Sequence, residues 1–326
     1  MRRDVLKAAG ALALPAILSR PAEAQAWPNR PVRFIVPFPP GGASDVVSRL
    51  VTAHLSAAFN VPFVIDNRPG ASTMLGAEAA ARSAPDGHTL LMASTSTMAA
   101  VPALYGSRTP YNPLRDFVPV GLASLAPFFV FLATEGGFAD LGDLVRQARA
   151  RPGQLSYGSN GAGAASHLGM ELLARAAGFE MLHVPYRSIV PALTDLVAKR
   201  LSTVMGDVTS VGGALQSGQL RLVAAASRER SPVAPEVPTV SEAIGIPPFD
   251  ASPWFGIFAP TGVPEEVVAR LGVELRRYLS TDAARQAFLN IGQVPLIATS
   301  DELRRRVEAD SERFGTLIRE QRITVE

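Results

Sequence analysis

Val32-Arg33-Phe34-Ile35-Val36-Pro37-Phe38-Pro39-Pro40-Gly41-Gly42-Ala43-Ser44-Asp45 begins as an apolar run, breaks at a proline and glycine turn, and leads into Val46, Val47, Leu50, Val51 and Leu55 at helical spacing. It reads as strand, glycine turn, helix. The rhythm repeats downstream. Val61 to Asp66 carries a second strand signal, Asn67-Arg68-Pro69-Gly70 turns the chain, Met74 to Ser83 is helical, and a strand from His88 to Ala93 follows Pro85-Asp86-Gly87. Alternation of this kind predicts an α/β fold with a parallel sheet covered by helices on both faces.

Farther along, Val118 to Ala133 is uncharged but carries Pro119, Gly121 and Pro127, too interrupted for a membrane helix. Its Phe128-Phe129-Val130-Phe131-Leu132 suits a strand buried on both faces. Helix Leu141 to Ala150, strand Leu155 to Ser159, helix Ser166 to Ala177, strand Met181 to Val184, helix Val190 to Arg200 and strands Ser202 to Gly206 and Leu220 to Ala226 make a second α/β unit. A strand at 254–259 and helices Glu265 to Leu279 and Asp301 to Arg322 close the chain.

At 326 residues, 47% hydrophobic and 18% charged, the chain is long enough for about two domains and is neither disordered nor fibrous. It has no Cys, which removes disulfides, thiol nucleophiles and iron–sulfur clusters. Residues 1 to 26 hold Arg2, Arg3, Lys7 and Arg20 against Asp4 and Glu23, so the whole formal charge of +2 sits there. The balanced remainder offers no electrostatic footprint for nucleic acid. That leader has a basic start, an uncharged stretch Ala8 to Leu18 and small residues that set cleavage after Ala24 or Ala26. It predicts an export signal at 1–26, and Arg2-Arg3-Asp4-Val5-Leu6-Lys7 resembles the twin-arginine motif, with Val5 where Phe is commoner.

The turn Pro39 to Asp45 feeds a helix N-terminus at a strand end, an anion-binding arrangement at the place where open α/β sheets take ligands. An ordinary helix carboxylate stabilised by the dipole accounts for Asp45 equally well. The turn lacks the Gly-Lys-Ser/Thr ending of a nucleotide loop. Gly161-Ala162-Gly163-Ala164-Ala165-Ser166 comes within one residue of a dinucleotide fingerprint, with Glu180 about twenty positions on. A dinucleotide-binding oxidoreductase is therefore the enzyme-class alternative, set against a plain glycine turn. His54, His88, His167 and His183 lack metal-ligand spacing, no Gly-x-Ser-x-Gly elbow occurs, and no nucleophile and base pair is visible, so neither enzyme activity, metal nor cofactor is expected. Asp207 lies at a strand end, either at a cleft edge or as a turn former. Trp254 reads as core.

The residues resemble the Bug family, periplasmic substrate-binding receptors of tripartite tricarboxylate transport systems. The segments that carry the likeness are Trp27-Pro28, Pro37-Phe38-Pro39-Pro40-Gly41-Gly42 with Asp45, Asn67-Arg68-Pro69-Gly70-Ala71, Pro85-Asp86-Gly87-His88-Thr89-Leu90, Ser159-Asn160-Gly161-Ala162-Gly163 with His167, His183-Val184-Pro185-Tyr186, Pro238-Thr239-Val240 and Trp254-Phe255-Gly256. The resemblance implies a two-domain Venus-flytrap fold with the ligand cleft between lobes 27–124 plus 253–326 and 125–252. It implies a small carboxylate held largely through backbone amides by Phe38, Pro40, Gly41, Gly42, Ala43 and Asp45 from one lobe and Ser159, Gly161, Ala162, Gly163 and Ser166 from the other, with Ser94, Thr95 and Asp207 as further contacts. It also implies a monomer in the periplasm that meets membrane permease subunits or, as the alternative, a membrane sensor protein. The sequence departs from the family pattern at Arg187-Ser188, where Lys-Gly is common, and at Gly206, where a bulky apolar residue is usual.

Overall fold

The computed structural model describes residues 27–321 and 323–324. The export leader read in residues 1–26 lies outside them. In chain order, β1 (Val32–Val36), α1 (Ala43–Phe59), β2 (Phe63–Asn67), α2 (Met74–Ala81), β3 (Thr89–Ser94), α3 (Val101–Tyr105) and β4 (Phe117–Leu125) form the first run. The second comprises β5 (Phe128–Ala133), α4 (Leu141–Ala150), β6 (Ser156–Ser159), α5 (Ala165–Ala177), β7 (Leu182–Pro185), α6 (Ile189–Val197), β8 (Thr203–Asp207), α7 (Val208–Gln216), β9 (Leu220–Ala225) and α8 (Val240–Ile244). The chain then returns through β10 (Trp254–Pro260), α9 (Glu265–Leu279), α10 (Asp282–Asn290), β11 (Val294–Pro295) and α11 (Ser300–Glu320).

Two sheets result, ordered β11-β4-β10-β3-β1-β2 and β7-β6-β8-β5-β9. The expectation of a parallel sheet holds only in part. β1 pairs in parallel with β2 and β3, and β6 with β7 and β8, whereas β10 runs antiparallel to β3 and β4, and β5 antiparallel to β8 and β9. The reason lies in the crossings. A parallel neighbour needs a crossover helix to reset its direction, but β4 passes to β5 through Ala126 and Pro127 alone, and the chain returns from the second unit to β10 of the first sheet through residues 245–253 after α8. The two passages touch, with the Ala126 amide donating to Pro253 O at 2.8 Å.

Both sheets are apolar on both faces because their strands alternate sides. In the first, Phe34, Leu90 and Ile257 pack with Val47, Val51, Leu271 and Leu275 of α1 and α9, while Ile35, Leu91 and Phe258 pack on the opposite side with Leu303 and Val307 of α11. In the second, Val130 and Tyr157 face Leu144, Met170 and Leu173, while Phe129, Phe131 and Val204 face Leu193 and Leu196. All six residues of β5 are buried, as its unbroken apolar run requires. Trp254 is fully buried and its indole N–H donates to Asp310 Oδ2 at 2.7 Å. A smaller apolar seam joins the two units, formed by Leu168 of α5 with Ala99, Ala100, Phe314 and Leu317. No helix among the described residues is long and apolar enough to cross a membrane.

Candidate functional site

The strands β1, β2 and β3 end at Val36, Asn67 and Ser94, and β6, β7 and β8 end at Ser159, Pro185 and Asp207. These C-terminal edges are where open α/β sheets present ligand sites. Each carries one of the glycine turns.

In the first turn Gly41 adopts φ +83°, a left-handed conformation that favours glycine, and Gly42 is the N-cap of α1 in extended geometry, without a side-chain cap. Asp45, buried in the first helical turn, organises this segment. Its carboxylate accepts from the Gly41 amide at 3.0 Å, Asn67 Nδ2 at 3.0 Å, and Arg49 Nε and Nη2 at 2.9 and 3.2 Å. Burial alone would raise its pKa, but the hydrogen bonds from Arg49, Gly41 and Asn67 outweigh it and hold the carboxyl below its usual range. Asn67 also donates to Phe38 O at 3.1 Å, and the Phe38 ring meets Phe255 edge to face. Asp45 is thus occupied in shaping the turn, and the Gly41 amide, expected as a ligand donor, is spent on it. The amides of Ala43, Ser44 and Asp45 in the first turn of α1 keep no intrahelical acceptor. Ser44 is itself buried, with Oγ unpartnered among the described residues.

The second turn is built differently. Ser159 Oγ, fully buried, accepts from the Gly161 amide at 3.1 Å and stands 2.6 Å from His183 Nε2. The Gly163 amide donates to His167 Nδ1 at 3.0 Å, the Asn160 amide to Ser166 Oγ at 3.1 Å, and the Ala164 amide to Gly161 O at 3.2 Å. The Gly161 and Gly163 amides, read from sequence as ligand donors, are therefore consumed inside the turn, and glycine is needed there for φ of +123° and +76°. What remains open is the Ala162 amide and the first-turn amides of α5 at Ala165, Ser166 and His167, since α5 also lacks a side-chain cap at Ala164.

The sequence reading found no nucleophile and base pair, whereas the fold brings Ser159 and His183 into hydrogen-bond contact across 24 residues through the parallel pairing of β6 and β7. The serine is sealed from solvent and tied to Gly161. Burial draws the His183 pKa down to about 4, so the imidazole is a weak base. The pair acts as a clamp on the turn.

The remaining candidates divide. Thr95 Oγ1 accepts from the Trp254 amide at 3.0 Å and Ser94 Oγ accepts from the Thr97 amide at 3.3 Å, so both hydroxyls peg β10 and the π-helical turn Ser96–Ala100 to the end of β3. Asp207 caps α7 by accepting from the Ser210 amide at 2.9 Å, the turn-forming role left open above. Burial raises its pKa against the Ser210 hydrogen bonds that lower it. Next to it, Thr209 Oγ1 donates to Ile291 O at 2.6 Å, which places Asp207 at the seam between the units. Pro40 is exposed on the first turn, and Arg187 is exposed after β7. Arg49, Asn67, His167 and His183 are the organising residues that the sequence reading left out of the site.

Capping separates these two helices from most others. α4, α7, α8, α10 and α11 begin with an Asp or Thr whose side chain accepts a first-turn amide. α1 and α5 do not, and neither do the short α2 and α3 nor α6 at the neighbouring strand end. α9 is uncapped as well but carries Glu265 and Glu266 in its first turn, which complement the helix dipole.

Residues 47–323 match the tripartite tricarboxylate transporter family receptor. The chain belongs to this family. Its relatives include protein BugT of Bordetella pertussis, 35% identical over 303 residues, covering 93% of each chain. Among solved structures, Rpa4515 of R. palustris with adipate superposes with a TM-score of 0.83 at 31% identity over 90% of this chain and 97% of that one. MatC from Rhodopseudomonas palustris with bound malate gives 0.78 at 31% identity over 90% of this chain and all of that one. The fold of this receptor is accordingly that of the α/β periplasmic binding proteins, and its family is one of solute receptors rather than enzymes.

Proposed function

We propose that this receptor works as a periplasmic monomer, exported through the twin-arginine leader at its N-terminus, and closes lobes 27–124 plus 253–326 and 125–252 on a small organic carboxylate that it hands to a membrane permease. The observation that carries the reading is the pair of uncapped helices, α1 and α5, each fed by a glycine turn whose left-handed glycines already have their amides satisfied. Each N-terminus is worth roughly half a positive charge. The amides of Ala43, Ser44, Ala162, Ala165 and Ser166 then hold the anion without an arginine clamp. The relatives solved with adipate and malate support a dicarboxylate. A ligand present at about a hundred times its dissociation constant adds about 2.7 kcal/mol to stability, so a thermal-shift panel of adipate, malate, adipamide and a diamine tests the class. Adipate or malate is expected to raise Tm by several degrees and adipamide to leave it unchanged. A shift with the amide or amine alone overturns the proposal.

A further inference from the structure

Behind the second turn lies an aromatic stack, buried at Tyr157 and His167 and half-buried at His183, that the binding reading does not use. The rings of His167 and His183 lie 3.8 Å apart at 11°, and Tyr157 stacks on His183 with centroids 5.1 Å apart. His167 stands at the third position of α5 and reaches back to take the Gly163 amide, while His183 comes from β7 and clamps Ser159, which holds the Gly161 amide. Both left-handed glycines of the turn are thus fixed through an imidazole, one directly and one through a hydroxyl.

We propose that His167 and His183 are positioning residues for ligand binding: their neutral rings lock the inner amides of the Ser159–Ala164 turn so that only Ala162 and the first turn of α5 present donors to the cleft. The inference rests on the receptor reading for what the turn binds, and on the hydrogen bonds alone for what holds it. An imidazole can accept from Gly163 through Nδ1 only with its proton on Nε2, so this tautomer is required at His167. The ionisable groups set against the pair are Tyr157 on β6, Glu171 on α5, to which the Tyr157 hydroxyl donates, and the two histidines themselves. None of the others accepts the Gly163 amide, so nothing replaces the acceptor when it is lost. Burial draws His167 down to about 3, which keeps the acceptor available across the neutral and mildly acidic range. Protonating it adds a positive charge near an anion site, yet removes the acceptor that shapes the site, so binding weakens on acidification, the sign opposite to simple attraction.

Two variants of the full-length mature protein separate positioning from packing. His167→Leu keeps bulk and removes the acceptor, while His167→Asn restores an oxygen near the position of Nδ1. Hydrogen exchange of the Gly163 amide, read by NMR on unliganded protein, is expected to speed up about tenfold in His167→Leu, the loss of one hydrogen bond, and to stay near wild type in His167→Asn. Affinity for adipate, measured by calorimetry, follows the same order. Long-range imidazole spectra of the wild type should show an unprotonated Nδ1 at His167. Unchanged Gly163 exchange in His167→Leu, or an Nδ1–H tautomer, overturns the proposal whether or not adipate binds. Equal loss of protection in the Asn and Leu variants assigns His167 to packing alone and overturns it too. If the exchange results hold and no carboxylate binds, the positioning inference stands and the ligand class falls.

Discussion

Two glycine turns at corresponding strand ends reach the same shape by opposite electrostatics. The turn after β1 is organised by a buried carboxylate surrounded by donors, with Arg49 as its charged partner, and the turn after β6 by neutral imidazoles and hydroxyls. In both, the amides of the left-handed glycines are satisfied inward and the helix amides are left outward. The difference teaches that open donors at a helix N-terminus come from the absence of a cap together with a turn that closes on itself, and that charge is only one way to close it. Acid should therefore tell the two apart.

The largest effect is expected at Asp45. Every partner of its carboxylate is a donor, so Asp45→Asn sets an amide N–H against donors and Asp45→Ala leaves the Gly41 amide and one of the two Asn67 side-chain N–H groups unpaired, the other still reaching Phe38 O. Arg49 is 58% exposed and can turn to water, which limits the loss. Each variant should cost about 2 to 3 kcal/mol in a urea melt, with m unchanged, and adipate binding should disappear with the turn. A melt within error of wild type would remove Asp45 from its organising place.

Next comes pH. The Asp45 carboxyl lies below its unfolded value of 3.8, so the stability it contributes is present above that value and is lost only as pH falls through its lower folded pKa. The two histidines lie below 6.5, at about 3 and about 4. Their neutral folded forms are without cost above pH 6.5, but below it the unfolded chain binds protons that the folded one refuses, so stability falls from 6.5 down to their folded values. For the buried His167 this is about 2 kcal/mol by pH 5. Glu171, raised by burial, works in the other direction, so the informative quantity is the difference between wild type and His167→Asn. The variant should lose about 2 kcal/mol less between pH 7 and 5. Parallel curves would show that His167 titrates normally.

Much of this plan is legible in the chain. The run from Val32 to Asp45 shows strand, turn and helix because proline, glycine and helical spacing are local signals, and the segment around Ser159 to Ser166 does the same. The mixed sheets are not legible, because the direction of β10 depends on where the chain has been and not on its own residues. Arg49 sits four residues from Asp45 on one helix, a spacing that could have flagged the pair. Asn67 and His183 reach the turns only through strand pairing, β1 with β2 and β6 with β7, which periodicity does not reveal. Lone histidines in an apolar setting read as packing, and these two do pack; their hydrogen bonds appear only in three dimensions.

Smaller effects separate the two glycines of the second turn. Alanine at either Gly161 or Gly163 is strained by positive φ, at about 1 kcal/mol. At Gly161 the new methyl meets only Tyr186 O at 3.7 Å, so steric blocking near this backbone is weaker than the glycine suggests. At Gly163 it would lie 2.2 Å from Leu104 Cδ2 of α3, across the seam. In a double-mutant cycle Leu104→Ala should relieve part of the Gly163→Ala loss and none of the Gly161→Ala loss. Equal coupling at both positions would mean that Leu104 does not press on the turn.

The smallest change in stability is expected from Ala43→Pro, and it asks the sharpest question of the first turn. Ala43 is the first residue of α1, where proline is well tolerated because its missing N–H has no intrahelical acceptor and its fixed φ suits the helix. The residue before it, Gly42, has φ −80° and ψ 170°, the extended conformation that a following proline demands. The Asp45 network touches Gly41, Arg49 and Asn67 and leaves the Ala43 amide out. Folding should therefore change by less than about 1 kcal/mol, while a carboxylate that uses the Ala43 amide loses one charge-assisted hydrogen bond, about 1.5 to 3 kcal/mol, or roughly ten- to a hundredfold in affinity. The matching substitution at the second turn, Ala165→Pro at the start of α5, should do the same, since Ala164 before it is extended with ψ 158°. If both variants melt like wild type and both lose adipate, the two N-termini share the anion. If only one does, that turn carries the site, and the comparison between them resolves in its favour.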